Sequence, residues 1–292
     1  MHVGILGNPE SWYLHDLTRA AAERGVQVNR IDYRQLTGGV LAGLPAVTAG
    51  DLDLRQLDAV IVRTMPPGSL EQVVFRMDAL SRLEAEGVTI LNPPRAIEHA
   101  VDKYLATAKL AAAGLPVPDT VVCENSESAL TQFERLGGDV VVKPVFGAEG
   151  RGIVRVSDPE IALRVFRTLE RIQAVLYLQR FIAHPGYDLR VLVLNGKPIG
   201  AMRRHAQTGF KTNIACQGRG EAYVASDVEI GFAIQATAAI GATFAGVDLL
   251  TGPQGETYVI EVNGVPGWRG FQTATGIDVA ARVLDWLVDP AR

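Results

Sequence analysis

Apolar residues recur along this chain with two periods, and their alternation predicts three successive units of strands and helices. From residue 1 to about 95, short runs at His2–Leu6, Gln27–Ile31, Ala59–Arg63 and Val88–Leu91 read as strands. Between them, Trp12–Arg24 and Ser69–Glu86 carry apolar residues at helical spacing. They stop at Gly25 and Gly87, and Ser69 is a good N-cap. Strands alternating with helices predict a mainly parallel, doubly wound sheet. The turn Gly4-Ile5-Leu6-Gly7 lacks the full glycine spacing of a dinucleotide fingerprint and reads as a tight strand–helix connection.

A second unit spans residues 96–178. Asp102–Ala113 is helical and closes at Gly114, and Leu115-Pro116-Val117-Pro118 cannot continue it. Strands at Thr120–Val122 and Val140–Val145 and helices at Ser126–Leu136 and Pro159–Arg171 follow. The third unit, 179–292, is led in by a strand at Val175–Phe181. It holds a hairpin, Asp188–Leu194 with Ile199–His205, around Asn195-Gly196. After a helix at Val228–Ala242 comes a second hairpin, Gly246–Leu250 with Val259–Asn263, around the turn sequence Thr251-Gly252-Pro253-Gln254-Gly255. An amphipathic helix, Ile277–Val288, closes the chain. The expected class is α/β, with α+β character in the C-terminal part.

Composition narrows the setting more than the chemistry. At 292 residues, 48% hydrophobic and 21% charged, the chain has ordinary globular values. A net charge of -4 and the lack of any Lys/Arg run point to no nucleic-acid partner. No apolar run reaches the ~18 residues of a membrane span. The first residues lack the basic and apolar regions of a signal peptide. Cys123 and Cys216 are too few for a disulfide scaffold. These features lead us to expect a cytoplasmic protein without membrane attachment.

The candidate chemistry concerns phosphate and a divalent ion. On the second hairpin Glu261 and Asn263 share a face, and Asp248 can join them from the partner strand. Two carboxylates and an amide oxygen suit Mg²⁺ or Mn²⁺; the alternative is a set of solvent-facing polar strand residues. Lys143 ends the apolar run Val140-Val141-Val142, where a buried ammonium needs a partner such as phosphate. Gly147-Ala148-Glu149-Gly150-Arg151-Gly152 follows and lets backbone N–H groups approach a ligand, or is simply a flexible turn. It is not a P-loop, because the lysine precedes the glycines. Lys103 stands near a helix start, and Arg190, Arg203, Arg204 and Lys211-Thr212-Asn213 cluster around the first hairpin. Arginine suits bidentate capture of carboxylate or phosphate. No nucleophile motif occurs, and the five histidines lack metal-ligand spacing. Positioning, metal ions and cations remain, which is how phosphoryl transfer is catalysed.

Taken in order, Asp102-Lys103, Val142-Lys143-Pro144, the 147–152 loop, Gln179-Arg180-Phe181-Ile182, Asp188-Leu189-Arg190-Val191, Ala201-Met202-Arg203-Arg204, Phe210-Lys211-Thr212-Asn213, Ala245–Leu250 and Glu261-Val262-Asn263 with Pro266-Gly267 resemble the ATP-grasp superfamily. Within it they resemble the RimK-type α-L-glutamate ligases. Met65–Met77 is similar to a branch associated with tetrahydromethanopterin-type one-carbon metabolism.

The resemblance implies an ATP-grasp fold: an N-terminal doubly wound parallel sheet, a small central α/β subdomain and a C-terminal antiparallel subdomain, with ATP between the last two. It implies that Lys103 and Lys143 contact ATP phosphates or the adenine edge, under a loop carrying Gly147, Gly150 and Gly152. Gln179 leads into an adenine hinge of Arg180, Phe181 and Ile182, and Asp188 lies near the ribose. Asp248, Glu261 and Asn263 bind two Mg²⁺ or Mn²⁺ ions. Arg190, Arg204 and Asn213, with Lys211 and Thr212 beside them, hold the transferred phosphate, nucleotide or substrate carboxylate. Two departures stand out: Arg180 replaces the family's usual acidic hinge residue, and Ile214–Gly220 replaces a His-Arg-Gly-Gly type loop near the acceptor.

The activity so implied is an ATP-dependent carboxylate–amine ligase working through an acyl phosphate, with Arg190, Arg204 and Lys143 as catalytic cations. Its partners are an amino acid, L-glutamate, and a carboxylate acceptor that is a peptide, a pterin coenzyme or a carrier. Homo-oligomers are compatible with it, since members of the family form dimers or tetramers. The alternatives are a ligase of another pair, as in lysine biosynthesis, a kinase-like or carboxylase-like enzyme, and a non-catalytic nucleotide-binding regulator. An intact Asp248, Glu261 and Asn263 set speaks against the last. The glycine spacing also speaks against a Rossmann oxidoreductase.

Overall fold

The computed structural model describes residues 1–43, 46–147, 151–206 and 219–289. The chain begins β1 (His2–Leu6), α1 (Trp12–Ala22) and β2 (Gln27–Ile31). Three short strands follow, β3 (Leu36–Gly38), β4 (Val47–Ala49) and β5 (Leu52–Asp53), then β6 (Ala59–Val62), α2 (Leu70–Ala85), β7 (Thr89–Leu91) and α3 (Pro94–Val101). The main strands form a parallel sheet in the order β2-β1-β6-β7. Both faces are covered, so Ala59–Val62 is buried throughout, as a central parallel strand should be. Ser69 caps α2 in a reciprocal capping box with Gln72.

The next run is α4 (Lys103–Ala112), β8 (Thr120–Cys123), α5 (Ser126–Arg135), β9 (Val140–Lys143), β10 (Val154–Val156), α6 (Pro159–Arg171) and β11 (Leu176–Arg180). Its antiparallel sheet has the order β10-β9-β11-β8. Strand alternation sorts its residues. Val140, Val142, Leu176 and Leu178 pack with Phe133 and Phe166 of α5 and α6. By the same alternation, Lys143, Tyr177 and Gln179 point the other way.

The remainder is β12 (Tyr187–Leu194), β13 (Lys197–His205), β14 (Arg219–Tyr223), α7 (Asp227–Ile240), β15 (Phe244–Thr251), β16 (Thr257–Asn263), α8 (Arg269–Thr275) and α9 (Val279–Val288). The sheet runs β14-β13-β12-β15-β16, all antiparallel. Leu189, Val191, Val193, Val247 and Leu249 face α7. On the opposite face, one end of the sheet (Leu192, Leu194, Met202, Phe244) packs under α1, α8 and α9. The other end carries charges.

Both predicted hairpins form, and the helix at Pro159–Arg171 matches to the residue. The expected closing helix from Ile277 is corrected: α9 starts at Val279 behind its cap Asp278, and a separate α8 precedes it, ended by Gly276 in the left-handed conformation. The β3–β5 sheet and helix α3 carry patterns too short for periodicity to expose. Among the described residues no helix is long and apolar enough to cross a membrane.

Candidate active site

The register of the five-stranded sheet lines up its charges. Arg204 lies opposite Asp188, Arg190 opposite Asp248, and Asp248 opposite Glu261. Residues two apart on a strand share a face, so Asp188 joins Arg190 and Asn263 joins Glu261. The result is one row, Arg204–Asp188/Arg190–Asp248–Glu261, with Asn263 beside it. A register shift after Asp248 leaves Ile260 as an extra residue in β16. Such bulges re-aim neighbouring side chains.

Asp248 is 2% exposed and sits between two guanidiniums. Arg190 donates from Nε to Oδ1 and from its terminal nitrogen to Oδ2, both at 2.7 Å. Arg204 reaches Oδ2 at 2.8 Å and also holds Asp188 bidentately, at 2.7 and 2.5 Å. Burial alone would raise the Asp248 pKa; Arg190 and Arg204 outweigh it and hold the carboxyl below its ordinary range. Burial likewise lowers Arg204, but Asp248 and Asp188 more than restore it. Asp248 is therefore a carboxylate throughout the physiological range.

Across the cleft stand two lysines. Lys143 donates to Gln179 Oε1 at 2.7 Å. Gln179 is fixed in turn by Thr120 (3.0 Å) and Tyr177 (3.2 Å). Desolvation brings the Lys143 pKa down to about 8, with Lys103 lowering it further and Glu261 and Asp248 opposing. Lys103, next to the cap residue Asp102, donates to Gly147 O at 2.7 Å and lies 3.8 Å from Glu261 Oε1. It thereby ties Gly147 to the charged row. Gly152 has φ +73°, and a Cβ there would meet Pro144 at 3.4 Å, so a side chain at this position is disfavoured.

At the hinge, Phe181 N donates to Asp139 O, and Arg155 stacks 3.5 Å from the Phe181 ring while chelating Asp139 at 2.8 and 2.6 Å. Arg180 turns outward: its Nε lies 3.4 Å from Asp119, and its side chain is 42% exposed. Ile182 is buried. Arg203 stacks on Tyr187 and Tyr223 on the far face of its strand and so leaves the candidate cluster. Gly150, Lys211, Thr212 and Asn213 lie outside the described residues.

The structure thus brings together Lys103, Lys143, Gly147, Gln179, Asp188, Arg190, Arg204, Asp248 and Glu261, with Asn263 at the end of the row. Among the buried polar residues that the sequence does not single out, Arg63 and Asn92 stand at strand ends of the N-terminal sheet. The signal for the first was an arginine closing a four-residue apolar strand.

The architecture is that of ATP-grasp enzymes. The ATP-grasp ligase PsnB complexed with minimal precursor matches with a TM-score of 0.79 at 23% identity over 98% of both chains. A RimK domain protein from Sphaerobacter thermophilus matches with a TM-score of 0.75 at 22% identity, over 98% of this chain and 99% of the other. The family model for the RimK-like ATP-grasp domain covers residues 100–287, and that for the RimK PreATP-grasp domain covers 1–97. The chain belongs to the RimK-type ATP-grasp family and is an ATP-dependent ligase. Among its relatives are the tetrahydromethanopterin:alpha-L-glutamate ligase of Methanosarcina acetivorans, 37% identical over 98% of each chain, and a probable alpha-L-glutamate ligase of Klebsiella pneumoniae, 32% identical over 98% of this chain and 95% of the other.

Proposed function

We propose that this enzyme joins the amine of L-glutamate to a carboxylate acceptor at the expense of ATP, through an acyl phosphate. The observation that carries the reading is the row Arg204–Asp188/Arg190–Asp248–Glu261, buried at Arg204, Asp188 and Asp248, with Lys103 and Lys143 across the cleft from it. In the first step an acceptor carboxylate oxygen attacks the γ-phosphorus, and the bond from phosphorus to the β–γ bridging oxygen breaks to release ADP. In the second the glutamate nitrogen attacks the acyl carbon, the carbon–oxygen bond to phosphate breaks, and the amine gives up a proton. Both steps move negative charge, which fixed cations stabilise without reorganising.

The residues fit a divalent ion. Among the described residues Asp248 Oδ2 accepts from both arginines, whereas Oδ1 accepts from Arg190 alone. Oδ1 therefore keeps a lone pair for a hard cation without loss of either arginine. Glu261, at 33% side-chain exposure, and the amide oxygen of Asn263 complete a set suited to Mg²⁺. Once bound, the ion would neutralise negative charge on the phosphates of ATP. A second ion, and Mn²⁺ in place of Mg²⁺, belong to the same reading.

Arg190 and Arg204 are assigned to the transferred phosphate, and Lys103 and Lys143 to the nucleotide. Phe181 and Ile182 are assigned to the adenine hinge, although the Phe181 N–H is already taken by Asp139 O, and Gln179 holds Lys143 in place. The division into units at about residues 95 and 178 belongs to this reading, as does a cytoplasmic setting supplied with ATP. Of peptide, pterin coenzyme and carrier acceptors, the name of the Methanosarcina relative supports a pterin coenzyme for this chain.

The test is ADP release with ATP, Mg²⁺, L-glutamate and each acceptor, run with hydroxylamine to capture the acyl phosphate as a hydroxamate. ADP and hydroxamate that depend on the acceptor, followed by a product heavier by one glutamyl unit, are expected. ADP release without any hydroxamate or amide product sinks the proposal.

A further inference from the structure

Strand β16 leaves its sheet at Asn263, and the turn that follows is held from the N-terminal unit. The last rung between β15 and β16 is Gly246 with Asn263. Beyond it the side-chain amide of Asn92, 2% exposed, takes the place of a further rung. Its nitrogen donates to Phe244 O at 2.6 Å and to Gly264 O. Its oxygen accepts from Thr243 N at 2.8 Å and from Phe244 N at 2.7 Å. One amide thus clamps the start of β15 to the exit of β16.

Two residues further on, Arg63 donates to Pro266 O at 2.8 Å. Its guanidinium lies between the rings of Tyr13 (4.8 Å) and Trp268 (4.2 Å) and is 7% exposed. Among the described residues no carboxylate pairs with it, and its Nε has no acceptor. A buried cation without a counter-ion is costly, and holding one backbone carbonyl by an uncharged donor would be cheaper. The turn is also pressed closely onto the same unit: a Cβ on Gly267 would lie 2.6 Å from Tyr13 Oη.

We propose that Arg63 and Asn92 are positioning residues, which fix the 264–266 turn from the N-terminal unit and so aim Asn263 and Glu261 at the metal-bound nucleotide. The inference rests on the assignment of those two residues to the ion. It makes the N-terminal unit part of the nucleotide site, although it contributes no ligand to it.

Two substitutions release the turn selectively. Asn92→Asp keeps the acceptor for Thr243 and Phe244 and removes both donors. Arg63→Lys keeps a cation on an apolar stem and loses the planar fork. Binding of a non-hydrolysable ATP analogue is measured by calorimetry with Mg²⁺ and with chelator, next to ligand-free melting curves. Each variant is expected to weaken the Mg²⁺-dependent component roughly 10–100-fold, the usual effect of losing an outer-sphere partner, and to leave binding in chelator nearly unchanged. Arg63→Ala should regain the lost affinity on addition of guanidinium. Asn263→Ala is the benchmark. If it too leaves the Mg²⁺ dependence intact, the metal assignment fails. If it removes that dependence while both positioning variants bind as the unsubstituted enzyme does, whatever their melting temperatures, the positioning role is overturned. Loss of folding in both variants assigns the pair to stability alone and overturns it as well.

Discussion

At the scale of single residues, the site is held together by charges that are costly on their own. Lys143 is the clearest case, with a pKa drawn down to about 8 from 10.5, chiefly by burial. Between those two values the unfolded chain carries a proton that the folded protein has released. The free protein therefore gains stability as pH rises from about 8 to about 10.5, and below about 8 it bears the full cost, up to about 3 kcal/mol. Lys143→Met should remove this slope in urea titrations and stabilise the free protein near neutrality, while weakening nucleotide binding. A slope that survives the substitution would refute the account. Asp248→Asn tests the opposite partner. It leaves the part-buried Arg190 without its carboxylate and the buried Arg204 with Asp188 alone, so about 3 kcal/mol of stability should be lost with the activity. Denaturant unfolding shows whether that loss is present. The polar identities of this row were readable in the sequence, because Asp248, Glu261, Arg190 and Arg204 interrupt apolar strands. Their pairing was not readable, since it depends on the register of β12 against β13 and β15, which no local pattern encodes.

At the scale of elements, the cleft depends on helices that bring no ligand to it. Helix α7 backs the charged sheet, and Ser226 and Glu229 close a reciprocal capping box at its start. Ser226→Ala should lower stability by ~1 kcal/mol and leave the kinetic constants unchanged, because the cap touches the fold and not the cleft. A changed KM for ATP would show that α7 moves during turnover. Elements with long periodic patterns, such as Pro159–Arg171, and hairpins with a clear turn, such as Asn195-Gly196, could be read from the chain directly. The three-residue strand β10 and the seven-residue helix α8 could not. Their stability comes from partners outside their own segments: Val154–Val156 pairs with β9, and Phe271 of α8 lies in a core shared with residues from the other end of the chain.

At the scale of the whole molecule, the two ends of the chain make one core. Leu14, Leu17 and Ala21 of α1 pack with Val283, Leu284 and Leu287 of α9, and with Trp268 and Phe271, against β1 and β6. Arg24 pairs with Asp285 at 2.7 Å and Arg19 with Asp278 at 2.8 Å, but these pairs are partly solvated and contribute ~1 kcal/mol each at most. The apolar contacts therefore dominate. All three tryptophans, Trp12, Trp268 and Trp286, lie in this core or against it, so intrinsic fluorescence reports on it selectively. Leu284→Ala, at a position 1% exposed, should cost ~3 kcal/mol, and Leu17→Ala should shift the same fluorescence transition from the opposite end of the chain. A protein ending at Asp278 loses the cover over one face of the N-terminal sheet. It should show red-shifted tryptophan emission and no cooperative unfolding, and with that loss Arg63 would no longer be buried between Tyr13 and Trp268. If the shortened protein instead unfolds at the full-length midpoint, α9 is an accessory, and the N-terminal unit supports the nucleotide site without it.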